Sequence, residues 1–119
     1  MNRQQKKLTV HVLDVATGES AAGIKVEVER VEGRVTTMCA STITAKNGRS
    51  DPPLLEGNEF PPGFYRLHFY AGDYFAAQGI ALSEPRFLDL LTINIGVGEE
   101  SIHIPLLITP WSYSVYRGC

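Results

Sequence analysis

Cysteine is scarce in this chain of 119 residues: Cys39 lies in mid-chain, Cys119 is the last residue, and there are no others. Without a Cys-x-x-Cys pair or a close framework of cysteines, neither a disulfide scaffold nor a thiolate zinc site has a basis, and a reducing compartment is the default. Long apolar runs are missing too. None approaches the roughly 20 residues that span a bilayer, and the polar start of the chain lacks the apolar stretch of a signal peptide. Charge of one sign is equally thin, with 11 Lys and Arg against 13 Asp and Glu, a net charge of -2, and no basic run longer than Lys6-Lys7. That balance excludes the electrostatic footprint of a nucleic-acid or anionic-membrane partner. P-loop, Rossmann glycines, Gly-x-Ser-x-Gly and zinc-ligand spacings are all absent. A soluble, cytoplasmic protein is expected, and its function must be sought in single residues placed by the fold.

What is present is a succession of short alternating segments. The length fits one domain, with residues 1–6 as a flexible leader and 7–119 as the folded unit, small enough that an oligomer would help it bury its core. Strand patterns run from Lys7 to Val15, Ile24 to Val31, Val35 to Ile43, Phe64 to Tyr70, Phe87 to Ile95 and Ile104 to Ile108, with a last short strand near Ser112 after Pro110. In each, side chains two apart share a face. Between them lie the turn formers Thr17-Gly18, Glu32-Gly33 and Asn47-Gly48, a Pro-rich loop from Asp51 to Pro62, and Gly96 to Glu100, expected as a hairpin connection. The one helix expected covers residues 73–79, with Asp73 as its N-cap and Gly79 closing it. Seven to eight strands and one short helix predict an all-β fold, a two-sheet antiparallel β-sandwich.

Alternation also sorts the polar residues. Leu8, Val10 and Val12 share one face of the first strand, leaving His11 on the other with Thr9 and Leu13. Ile102, Ile104, Leu106 and Ile108 share one face of the late strand, leaving His103 on the other with Pro105 and Leu107. Near the end, Ser112, Ser114 and Tyr116 fall on one side and Tyr113, Val115 and Arg117 on the opposite one. Singly, each has an ordinary explanation: His11 as a strand histidine with one hydrogen bond, Arg49 as a solvated turn residue, Ser114 and Tyr116 as strand residues, His68 as an exposed partner of Arg66. His103 is the least ordinary, because an imidazole among proline and leucines needs a partner. A catalytic zinc would want three protein ligands, which these histidines do not supply.

Taken together, these stretches resemble one family. His11-Val-Leu-Asp14 with Ala16-Thr-Gly18, Thr44-Ala-Lys-Asn-Gly-Arg49, Gly72-Asp-Tyr-Phe75, His103-Ile-Pro-Leu-Leu107 and the closing Tyr116-Arg-Gly118 look like the transthyretin-related 5-hydroxyisourate hydrolases, over nearly the whole chain from about Leu8. The resemblance implies a transthyretin-like sandwich assembled as a homotetramer, with substrate sites in a channel between dimers. It implies His11, Arg49 and His103 as catalytic residues and Tyr116, Ser114 and Arg117 as substrate-binding residues. It further implies hydrolysis of 5-hydroxyisourate, a small planar molecule, to 2-oxo-4-hydroxy-4-carboxy-5-ureidoimidazoline in urate degradation, with water as nucleophile and no metal or other cofactor. Which histidine acts as base stays open at this point. Because the family is also similar to the hormone carrier transthyretin, a non-catalytic carrier or an interaction module is the alternative. Four departures stand out: Asn47 where an aspartate is usual, Ser101 where many members have a further histidine, Val115 for a common threonine, and Cys119 for a terminal serine. No peroxisomal address is evident in the closing Arg-Gly-Cys, so cytoplasm is favoured over peroxisome.

Overall fold

In a computed structural model, residues 6–119 are described. The chain runs β1 (Lys7–Asp14), β2 (Glu19–Ser20), β3 (Lys25–Glu32), β4 (Val35–Ile43), β5 (Leu55–Glu56), a 3-10 turn (Gly57–Glu59), β6 (Gly63–Tyr70), α1 (Ala71–Ala77), β7 (Leu90–Val97), β8 (Ile102–Ile108) and β9 (Tyr113–Val115). One sheet has the order β2-β1-β8-β9, with β5 also paired to β1, and the other the order β4-β3-β6-β7. The two-sheet sandwich with one helix is as expected. All pairs are antiparallel except β1 with β8, which runs parallel in the register Leu8 to Ile102 through Asp14 to Ile108.

The inner faces carry the alternating apolar residues. Leu8, Val10 and Val12 from β1 and Ile104, Leu106 and Ile108 from β8 are buried against Val26, Val28, Leu67 and Phe69 of the opposite sheet. Each such side chain contributes about 1.5–3 kcal/mol when removed from water. The outer face of the second sheet carries polar residues beside exposed Phe64 and Leu90, and there His68 bonds Glu29 and Thr92, on a different sheet from β1 and β8. His68 is therefore structural.

Several expectations are corrected. Lys6 is not part of a solvated leader: it is 1% exposed, donates to the Gly98 carbonyl and lies over the Phe60 ring, so its ammonium has a carbonyl and a π face in place of water. The rest of the expected leader, residues 1–5, lies outside the described residues. Asp73 is not an N-cap, because β6 runs straight into α1 at Ala71; it sits in the first turn and pairs with Arg86 at 2.7 Å. Gly96 to Glu100 is not a hairpin connection, since Gly96 and Val97 extend β7 and the following strand β8 belongs to the other sheet. The Pro-rich stretch is not only loop, for Leu55–Glu56 pairs with β1 and Phe60 is wholly buried beside Tyr65.

The stretch 44–56 sets the position of Arg49, because it is laid along β1 as an irregular edge. Val12 donates to the Gly48 carbonyl at 2.8 Å, Ser50 to Val10 at 3.3 Å and Leu54 to Leu8 at 2.9 Å, while the Ser50 hydroxyl accepts from Val10 at 3.1 Å. Gly48 is required twice over. Its φ is +77°, and a Cβ there would stand 2.4 Å from the Val12 carbonyl oxygen. Gly18, at φ +82°, has nothing within 4 Å of the same position. Both Gly→Ala variants should lose about 1–2 kcal/mol from the left-handed backbone, and Gly48→Ala should lose more because the Val12 pairing must open. Urea midpoints at constant m value compare them; equal midpoints would show that the Val12 contact relaxes without cost.

Candidate active site

Three rows of residues cross the outer face of the first sheet. The parallel register sets Thr9 beside His103, His11 beside Pro105 and Leu13 beside Leu107. On the β1 side, His11 and Arg49 are antiparallel bridge partners. On the β8 side, Ser114 of β9 opposes Leu107, the Tyr116 amide donates to the Pro105 carbonyl at 3.4 Å, and the Gly118 amide donates to the His103 carbonyl at 2.8 Å. Directly opposed residues of neighbouring strands share a face, so the rows read Arg49–His11–Pro105–Tyr116, Thr9–His103–Gly118, and Leu13–Leu107–Ser114. His11, Arg49 and His103 come together although they lie far apart in the chain.

Each is held by its surroundings. Arg49 follows a turn in which Asn47 Oδ1 accepts the Arg49 amide at 3.1 Å and Ala45 donates to the Arg49 carbonyl at 2.9 Å. Asn47 thus performs the turn role expected of the more usual aspartate without adding a charge. The His103 ring meets the Thr9 hydroxyl, with Nδ1 and Oγ1 2.7 Å apart. Its opposite edge lies against the chain's tail, where a Cβ on Gly118 would come within 2.7 Å of Cδ2 and 3.1 Å of Pro105 Cγ. The tail covers Pro105, which is buried although it faces outward.

Both histidines are half-buried, and both are held below the ordinary imidazole value of 6.5. For His11 burial is the main cause and the Arg49 charge the second, opposed by a hydrogen bond from the ring to the Asn47 backbone. For His103 burial again leads, followed by the charges of Arg49 and His11. No carboxylate enters either balance, so both imidazoles are neutral near pH 7. The face therefore combines two neutral imidazoles, each able to accept a proton, with a fixed cation whose planar fork suits substrate oxygens.

The remaining expected residues are placed differently. Ser114 and Tyr116 are exposed on the same face, Tyr116 in the row of His11 and Ser114 in the row beside it. Arg117 turns away to pair with Glu100 at 3.1 Å; it lines, with Tyr116, Val115, Ile93, Ile95 and Ile104, a cleft of about 300 Å³. Among the described residues no three His, Cys, Asp or Glu side chains converge as metal ligands. Thr9 and Gly118 are contacts that sequence reasoning did not assign to the site. Parity puts Thr9 on the histidine face, but only the register of β1 against β8 shows that it meets His103.

With this geometry in view, likeness to known proteins is informative. Residues 8–118 match the HIUase/Transthyretin family. A 5-hydroxyisourate hydrolase of Pseudomonas aeruginosa is 49% identical over 114 residues, covering 94% of this chain and 90% of that protein. Among solved structures, the 5-hydroxyisourate hydrolase of Klebsiella pneumoniae superposes with a TM-score of 0.80 at 31% identity, covering 96% of this chain and 100% of that one. An (S)-allantoin synthase superposes with a TM-score of 0.91 at 33% identity; 99% of this chain is covered, and it spans 45% of that longer chain. With the match extending through β1, the Asn47-Gly48 turn, β8 and the tail, the chain belongs to the HIUase/transthyretin family.

Proposed function

We propose that the protein is a 5-hydroxyisourate hydrolase, opening the substrate ring by attack of water on an amide-like carbonyl and releasing 2-oxo-4-hydroxy-4-carboxy-5-ureidoimidazoline, a step of urate degradation. The observation that carries the proposal is the convergence of His11, Arg49 and His103 on one sheet face with both imidazoles neutral. Relatives named for this activity, among them one 49% identical, support it.

His103 is engaged through Nδ1 by the Thr9 hydroxyl, whereas burial and the charge of its bridge partner Arg49 favour a neutral imidazole at His11. His11 is the proposed general base. It takes a proton from water as the oxygen bonds to the carbonyl carbon, and returns it to the ring nitrogen as the carbon–nitrogen bond breaks, which balances the step without a metal or other cofactor. Arg49 offsets the charge that develops on the carbonyl oxygen, with His103 on the same face. Tyr116 and Ser114 orient the planar substrate from the tail side; Arg117, paired with Glu100, is left at the rim.

The face is open in the single chain, and Leu13 and Leu107 share it as a half-buried register pair. We propose that a homotetramer closes it, a second dimer covering the site. Action in the cytoplasm accords with two exposed free thiols.

Generating 5-hydroxyisourate in situ from urate and following its absorbance tests the activity. The protein should accelerate decay well above the spontaneous rate; saturable binding without acceleration would establish a carrier instead. His11→Ala, Arg49→Ala and His103→Ala should each lose about a hundredfold or more in turnover while keeping the wild-type circular dichroism.

The pH profile has a definite sign. Both imidazoles must be neutral, and both bind protons less readily in the folded protein than at the ordinary value of 6.5. The rate should therefore hold from neutrality down past pH 6.5 and fall on an acid limb below it. The same two groups withdraw stability in that window, because the unfolded chain binds the protons first. A limb centred above 6.5 would contradict the assignment.

A further inference from the structure

We propose that Thr9 is a positioning residue of the active site, its hydroxyl holding His103 by Nδ1 so that Nε2 is left as the ring nitrogen free to meet substrate on the outer face. The proposal rests on the hydrolase reading for its kinetic consequences, though the contact itself does not. Thr9 and His103 are register partners of β1 and β8, and their polar atoms are 2.7 Å apart. A β-branched side chain on a strand has few χ1 choices, so the hydroxyl is itself held in place.

The other edge of the ring makes the orientation unambiguous. Cδ2 rests on Gly118, whose amide is tied to the His103 carbonyl at 2.8 Å and whose position leaves no room for a Cβ. A half-turn of the imidazole would exchange Nδ1 and Cδ2, setting carbon against the Thr9 hydroxyl and losing the hydrogen bond. Gripped on Nδ1 and Cδ2, the ring has Nε2 as its one free nitrogen.

A hydroxyl is also the right group chemically. It accepts from an Nδ1–H and donates to an Nδ1 lone pair, so it serves either neutral tautomer. A carboxylate in its place would stabilise the imidazolium and raise the pKa that burial and Arg49 lower. The hydroxyl therefore orients His103 without charging it.

The test uses the full chain with Thr9→Val, which keeps the branched shape, and Thr9→Ser, which keeps the hydroxyl. Kinetics on 5-hydroxyisourate generated from urate give kcat and KM, and ring-nitrogen NMR of His103 without substrate reports tautomer and protonation. Thr9→Val should lower kcat about tenfold to a hundredfold with KM little changed, and should move the His103 ring-nitrogen signals. Thr9→Ser should restore most of both. A Thr9→Val protein with wild-type kcat, or with unmoved His103 signals, overturns the proposal. If the wild-type protein itself fails to turn over substrate, the hydrolase reading falls, while the NMR comparison still decides whether Thr9 holds the ring.

Discussion

The parallel pairing of the first long strand with the next-to-last is the constraint on which the site depends. Its register is enforced from the inner face, where Leu8, Val10 and Val12 of β1 and Ile102, Ile104, Leu106 and Ile108 of β8 are all buried. A slip of one residue would turn His103 into the core and Ile104 into solvent, forfeiting about 1.5–3 kcal/mol for each apolar side chain exposed. The core thus fixes which outer-face residues meet. Thr9 lies beside His103, and His11 one row further on, because burial of the apolar residues on the hidden side of the same strands excludes any slip that would turn these residues inward. Precision on the outer face is obtained from hydrophobic burial on the inner one.

Arg49 reaches the same face by a different route. It belongs to no regular strand, and its position comes from the 44–56 stretch being bonded along β1, with Gly48 close enough to the Val12 carbonyl to exclude any side chain. A permanent cation beside two histidines would be a repulsive arrangement if either were protonated. It is tolerable because partial burial already disfavours the imidazolium, and the Arg49 charge then acts in the same direction. The cluster is self-consistent as one cation and two neutral bases. Asn47 keeps it so: it supplies the turn's hydrogen bond to the Arg49 amide as an aspartate would, without a negative charge beside the guanidinium.

Much of this could be read from residue pattern. Period-two alternation places His11 and His103 on outward faces, identifies most of the core, and suggests a sandwich, because the strands here are half-buried and their two faces differ in chemistry. What alternation cannot carry is pairing. It does not tell which strand lies beside which, so the parallel partnership of β1 with β8, the Thr9–His103 contact and the separation of β7 from β8 into different sheets emerge only in three dimensions. Lys6 escapes the pattern for a related reason: a charged residue next to Lys7 looks solvated until the Gly98 carbonyl and the Phe60 ring are brought to it by distant segments. Arg117 shows the same limit, for its parity with Val115 is visible in the sequence while its pairing with Glu100 is not.

The histidine face is open, and covering it would act on its electrostatics in one direction. Electrostatic stabilisation of a developing charge is worth far more where water is excluded than at a solvated surface, and both histidines here are only half-buried. A partner surface laid over the face would deepen the burial that already dominates both shifts, and would strengthen the Arg49 charge by lowering the local dielectric. Both changes act in the direction already present, toward neutral imidazoles. Only a partner carboxylate placed against a histidine would oppose them. The protonation states that suit a general base are therefore a property of the sheet face itself, and closure by an apolar surface would reinforce them.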